Sequence, residues 1–245
     1  MDFNRWWLAS PEERYWLEIT DRLDLGVDLN APQLGRNGRE QWHYSLIHEV
    51  NPGDVVFHYH REGAESAISA WSTAWGEVWE DEVVWAPHAG GHHEALLQPG
   101  WRLNLEGFHP LSRPVTFQDI RQAEDLIRVL ESELEDTFGA PLYTPFETGQ
   151  RAIRPKQAYL TKFPAELVEA FPPLRQAMAR STGGAPTQQA QPSSLLVGEQ
   201  YRNVNEDVLV SEAEPFAKDP ALVERGLRSH AATQNALARF VEGMG

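Results

Sequence analysis

Tryptophan is the residue type with the most chemistry to offer in this 245-residue chain: nine occur, all before residue 102. An indole has a large flat apolar face, so each can pack in a core or stack on a flat ligand. Trp16 and Trp101 lie inside strand-like patterns and are expected in the core. Trp71 and Trp75 share one face of a strand-like run, which makes them either core or a stacking platform. Trp42 and Trp85 each sit beside a turn or loop. Two indoles arriving from separate segments form the kind of slot that sandwiches a base or a methylated group.

Histidine is the second candidate. His58 and His60 alternate along a strand and so point to one face, and His88, His92 and His93 follow in a loop. Three such groups could hold a zinc ion with an open position for water, as in a metal hydrolase. The plainer alternative is a strand end and a solvated loop. No phosphate-binding glycine loop, dinucleotide fingerprint, nucleophile elbow or H-E-x-x-H motif occurs. Cysteine is absent, which removes disulfides, thiolate ligands and cysteine nucleophiles.

These side chains need elements to hold them. Tyr15–Thr20 reads as a strand, and Asn51-Pro52-Gly53-Asp54 as a turn launching a second strand, Val55–His60. Between them lies a loop with Gly26, Pro32, Gly35 and Gly38, then a helix-compatible stretch near Glu40–Val50. Ala67–Val78 is predicted as a strand, Glu80–Trp85 as an excursion or a further strand, 87–99 as a surface loop, and Trp101–Leu105 as a strand. Helices are expected over Gln118–Leu134, with Thr116 as N-cap and Asp119 completing an imperfect capping box, and over Pro164–Arg180. The small, polar 181–195 stretch is a linker by composition. Residues 196–245 hold one well-signalled helix after Asp219-Pro220 and too little core to stand alone.

The charge balance constrains partners. There are 36 acidic and 21 basic residues, a net charge of −15, and residues 1–160 hold 26 acids against 13 bases. Bulk electrostatics therefore oppose nucleic-acid binding, which would have to rest on local geometry. No apolar run approaches the roughly 18 residues of a membrane span. The N-terminus lacks a signal pattern, and the expectation is a soluble cytoplasmic protein with no membrane partner.

The order YWLEIT, REQWHYSLIHEVNPGDVVFHYH, AISAWSTAWGEV, RPVTFQDI resembles the PUA-like superfamily, in its EVE and YTH branches, over about residues 14–135. The resemblance implies an α+β fold, a curved mixed β-barrel flanked by helices, with residues 1–180 as a modified-base reader domain. It implies a base pocket with Trp42 and Trp85 as cage tryptophans and Thr20 and Asp21 on the base edge. His43 lines the same slot, with Trp71 and Trp75 as further pocket candidates. An Asp at 21, where Asn is common in the family, leaves the base open among N6-methyladenine, 5-methylcytosine and 5-hydroxymethylcytosine. Arg36, Arg39 and Arg61 are the phosphate candidates at the mouth, with Arg151, Arg154 and Lys156 flanking it.

The segment from Asp219 to Asn235 resembles the lead-in to a PD-(D/E)XK nuclease domain. The implied whole is a modification-dependent restriction system acting on double-stranded DNA. This chain would carry no cofactor and no catalytic centre, and the missing nuclease would need a divalent metal. The alternatives are a methylated-RNA reader, the histidine-ligated hydrolase, and a protein-interaction module whose slot takes a peptide or methyl-lysine.

Overall fold

The computed structural model describes residues 2–22, 24–62, 65–85, 96–148 and 152–182. The predicted linker, the 196–245 tail and the loop histidines 88, 92 and 93 lie outside the described residues, as do Arg151 and the side chain of Arg61.

The chain is α+β, built on a six-stranded mixed sheet. β1 (Tyr15–Ile19) lies parallel to β3 (Val55–Glu62) and antiparallel to β8 (Leu160–Lys162). β3 pairs with β4 (Glu65–Trp85), β4 with β5 (Leu96–Thr116), and β5 with β2 (Asp28–Pro32), all antiparallel. The order across the sheet is β2-β5-β4-β3-β1-β8, and a two-stranded ladder pairs β6 (Phe146–Glu147) with β7 (Arg154–Pro155). The turn before β3 behaves as its chemistry dictates. Gly53 takes φ 89°, and the Asp54 carboxylate accepts from the Asn51 amide and the Trp16 indole.

β4 and β5 are each 21 residues long, where isolated shorter strands were expected. The apparent interruptions are bulges. The register shifts between Trp71 and Thr73 opposite Gly107 (φ 64°), and between Trp75 and Trp79 beside Gly76 (φ 77°). Each bulge bends the ribbon without ending it. The sheet curls until its two edge strands meet: the Tyr159 hydroxyl, just ahead of β8, accepts the Asn30 amide of β2 at 2.8 Å. β2 lies inside the stretch expected to be loop.

Alternation along the strands sorts the core into two clusters. Tyr15, Leu17, Phe57, Ile68 and Trp71 lie on one face with Ile120, Ile127, Leu167 and Leu174 from the helices. Trp16, Val56, Ala74 and Leu160 point the other way, onto Leu29, Ala31, Leu46 and the N-terminal Trp6 and Trp7. The covering helices are shorter than expected. α1 is only Trp42–Ser45, continued by a 3-10 turn at Leu46–Glu49. The next helix is split into α2 (Phe117–Gln122) and α3 (Glu124–Phe138), and Thr116 and Asp119 form a complete capping box. α4 (Ala165–Ala170) stops at Phe171, because a residue before proline is pushed out of the helical region, and Pro172 starts α5 (Pro172–Thr182). No described helix is long and apolar enough to cross a membrane.

Candidate functional site

Where the two sheet edges meet, polar groups are buried together. The Tyr159 hydroxyl donates to Glu18 Oε1 at 2.9 Å while accepting the Asn30 amide. Burial, with the adjacent Glu18 charge, holds this phenol well above its ordinary pKa, so it remains a donor. Glu18 Oε2 accepts from His58 Nδ1 at 2.7 Å, and His58 Nε2 and the Ser72 hydroxyl share a hydrogen bond at 2.9 Å. Arg22 closes the group, bonding Asp28 at 2.7 Å and Asp24 at 2.9 Å; Arg102 reaches Asp28 from β5.

Serine, histidine and carboxylate in this order is the arrangement of an acyl-transfer triad. Here all three side chains are shut off from solvent, at no more than 1% exposure, so no substrate carbonyl can reach Ser72. The chain of bonds joins β4, β3, β1 and β2 from inside. It also settles the role of His58, whose two nitrogens are both engaged by protein and not offered to a metal. His60 Nδ1 bonds the Ser69 hydroxyl at 3.0 Å. Among the described residues no group of three His, Asp or Glu side chains could hold an ion.

Above this polar seam stands a row of rings. Trp42 meets His43 (centroids 5.4 Å), His43 meets Tyr44 (4.2 Å), Tyr44 meets Trp85 (5.1 Å), and Trp85 meets Tyr159 (5.1 Å), all edge to face. Trp42 and Trp85 are both half-buried and belong to one row of rings, with Tyr44 and His43 standing between them. His43 Nδ1 accepts the Tyr159 amide at 3.1 Å, and burial lowers its pKa to about 4, so the ring is neutral with its proton on Nε2. Burial raises the Tyr44 phenol. Thr20 and Asp21 follow β1 directly at the same end. The Thr20 amide donates to the Tyr59 carbonyl at 3.1 Å, and its hydroxyl accepts the Arg22 amide at 3.3 Å.

The other candidates fall elsewhere. Trp71 is in the helix-covered core with its ring 4.5 Å from His109, while Trp75, four residues on, is half exposed. The strand-face pairing is thus divided: one indole is core and one is surface. Trp16 is core as expected, and Trp101 is half-buried against His48. Arg36 and Arg39 are exposed on the segment leading to α1, with the Arg36 charge near Tyr44. Arg154 pairs with Glu147 at 2.6 Å, and Lys156 bonds the Thr144 hydroxyl at 3.0 Å.

Sequence reasoning missed Tyr159, Tyr44, Asn30 and Arg22. Tyr159 heads a short run, YLTK, whose aromatic and β-branched content is a strand signal, but nothing local connects it to Asn30, 129 residues away.

No family model matches this chain, and neither does any curated protein. Solved structures with a similar course exist. Human THYN1, solved in complex with DNA containing 5-methylcytosine, is 12% identical, with a TM-score of 0.37 over 70% of this chain and 99% of that one. The N-terminal domain of Staphylothermus marinus McrB is 14% identical, with a TM-score of 0.36 over 64% of this chain and 92% of its own. The ASCH protein of Zymomonas mobilis is 7% identical, with a TM-score of 0.35 over 64% and 92%. Likenesses at this level assign no function to the chain.

Proposed function

We propose that this chain is a reader of a modified base in DNA, binding the base at the mouth formed by Trp42, His43, Tyr44 and Trp85. The observation that carries the reading is convergence: α1, the end of β4 and the residue before β8 bring their rings to one place, and the Ile19 amide, one residue before Thr20, donates to the Tyr159 carbonyl at 2.7 Å. Aromatic faces with a few fixed polar groups are what a flat heterocycle needs.

Energetically, a base must first leave the duplex, at a cost of a few kcal/mol, and stacking on an aromatic returns about 1–3 kcal/mol. A buried methyl group adds about 0.8 kcal/mol. Strong discrimination therefore requires the unmodified base to leave a polar group unpaired, the role of Thr20 and Asp21 in this reading. Arg36 and Arg39 meet the phosphates, locally offsetting an acidic chain. The tail's resemblance to a nuclease lead-in supports placing the reader in a modification-dependent restriction system.

The test is binding, at low and moderate salt, to duplexes that differ by one base: unmodified, N6-methyladenine, 5-methylcytosine or 5-hydroxymethylcytosine. One modified duplex should bind about tenfold tighter than its unmodified match, and Trp42→Ala or Trp85→Ala should abolish the difference. Equal binding to all, or discrimination intact in both variants, rejects the reading. Tighter binding to the matched RNA would transfer it to RNA.

A further inference from the structure

An open cleft of about 670 Å³ lies between α3 and the 140–148 segment, with Trp42 in its wall. That volume is within the ~300–1,000 Å³ range of small-ligand sites. Its aromatic surface is Trp42 with Tyr143, ring centroids 5.4 Å apart and inclined at 43°. Tyr143 has φ 57°, a backbone conformation that a bulky residue keeps only when its surroundings impose it. The surroundings do so: the Leu142 carbonyl accepts the Trp6 indole N–H at 2.8 Å, and the Tyr143 carbonyl accepts the Lys162 amide at 2.9 Å.

The polar part of the lining is equally fixed. Glu131 is nine-tenths buried, and its two oxygens accept the hydroxyls of Thr144 and Thr148. Thr144 in turn accepts from Lys156 Nζ at 3.0 Å. An ammonium carries three donors, so this bond leaves two for a ligand. Burial lowers the Lys156 pKa, with the Glu131 charge opposing that shift. Arg128, the other cation of the lining, is paired with Glu124 at 2.6 Å. The lining holds two carboxylates, Glu131 and Glu135, against two cations, Arg128 and Lys156, and the joined Glu131, Thr144 and Lys156 have little net pull on a phosphate. They present donors and acceptors at set positions beside an aromatic wall, which is how the edge of a stacked heterocycle is read.

We propose that this cleft takes a second nucleobase, the sequence neighbour of the modified one, stacked on Trp42 with its edge toward Lys156 and Thr144. Trp42 then stands between two bases, with the aromatic mouth on its His43 side and the cleft on its Tyr143 side. The proposal rests on the reader function above and adds sequence context to it.

The experiment offers duplexes containing the preferred modified base with each natural base, or an abasic residue, on either side. The wild type should favour one neighbour and lose about tenfold in affinity when that neighbour is abasic, a typical loss for one stacked base. Lys156→Met and Ser132→Trp should each flatten the preference. Ser132 is exposed on the cleft wall, so its substitution blocks the space without touching the core. Abasic neighbours that bind as well as any base on both sides overturn the proposal, as does a preference that survives Ser132→Trp. Failure of the reader function shows separately, as equal binding of modified and unmodified duplexes by the wild type. The cleft is then tested with free nucleosides, following the Trp42 indole N–H by NMR. A shift that Ser132→Trp removes supports a base site; an unmoved signal overturns it.

Discussion

Phe57 and His58 are neighbours in the same strand and both wholly buried, yet they live in different surroundings. Phe57 points to the face covered by helices, where its ring meets Phe163 at 5.8 Å among apolar side chains. His58 points to the other face and makes two hydrogen bonds, to Glu18 and Ser72. The same alternation separates Leu17 from Glu18 on β1. One face is held by apolar burial, which tolerates no missing volume. The other carries its own apolar cluster, with Trp16, Val56 and Leu160, and within it a polar network that must remain satisfied. The strands therefore carry a purely apolar contact at Phe57 and a hydrogen-bonded one at His58 back to back, and substitutions at the two should fail in different ways.

The largest effect is expected on the apolar face. Phe57→Ala should lower stability by about 3–5 kcal/mol, read as a shift in the denaturant midpoint with an unchanged slope. A loss below about 1 kcal/mol would mean that the Phe57 ring is not closely packed there.

Next comes the pH response of the mouth. Unfolded histidine titrates near about 6.5, while His43 in the fold is lowered to about 4. Between those values the unfolded chain binds more protons, so stability falls as the pH drops through this window, by up to about 3 kcal/mol from this residue. Thermal melts at pH 7 and pH 5 should differ less in His43→Gln than in the wild type. An identical difference would place the sensitivity elsewhere.

Tyr159→Phe keeps the ring and removes the hydroxyl that joins Glu18 to the Asn30 amide. A cost of about 1–3 kcal/mol follows from leaving buried partners unsatisfied, with faster hydrogen exchange at Asn30. Unchanged exchange there would remove the seam from the account. The smallest effect belongs to Trp75→Ala, which should alter stability by no more than about 0.5 kcal/mol. A loss as large as that of Trp71→Ala, four residues earlier on the same strand, would contradict the division between core and surface.

How legible was this in the sequence? The turn at Gly53 and the capping box at Thr116 and Asp119 are complete within a few residues, so local chemistry was enough. The continuity of β5 was hidden because Gly107, which forms a bulge, looks in one dimension like a strand end, whereas β4 was read through Gly76 and broken only after Val78. β2 was hidden by the glycines and prolines around it. For the candidate site, Trp42, His43 and Trp85, which the fold brings into one row of rings, stood out by residue type beside turns, and Trp71 stood out equally although it belongs to the core. Tyr159 could not be found by type or spacing, since its partners Glu18 and Asn30 lie more than a hundred residues away.

The bond from Asn30 to Tyr159 has a consequence beyond the site. Edge strands expose free amides and carbonyls that can template pairing with another molecule, the route into aggregates. Here the Asn30 amide of β2 is already capped by a phenol, and Pro32 ends that strand with no N–H to offer. On the opposite margin, the Lys162 amide of β8 is taken by the Tyr143 carbonyl. A second copy of the chain finds these donors occupied, so the contact that draws the sheet around the seam also guards it against self-association.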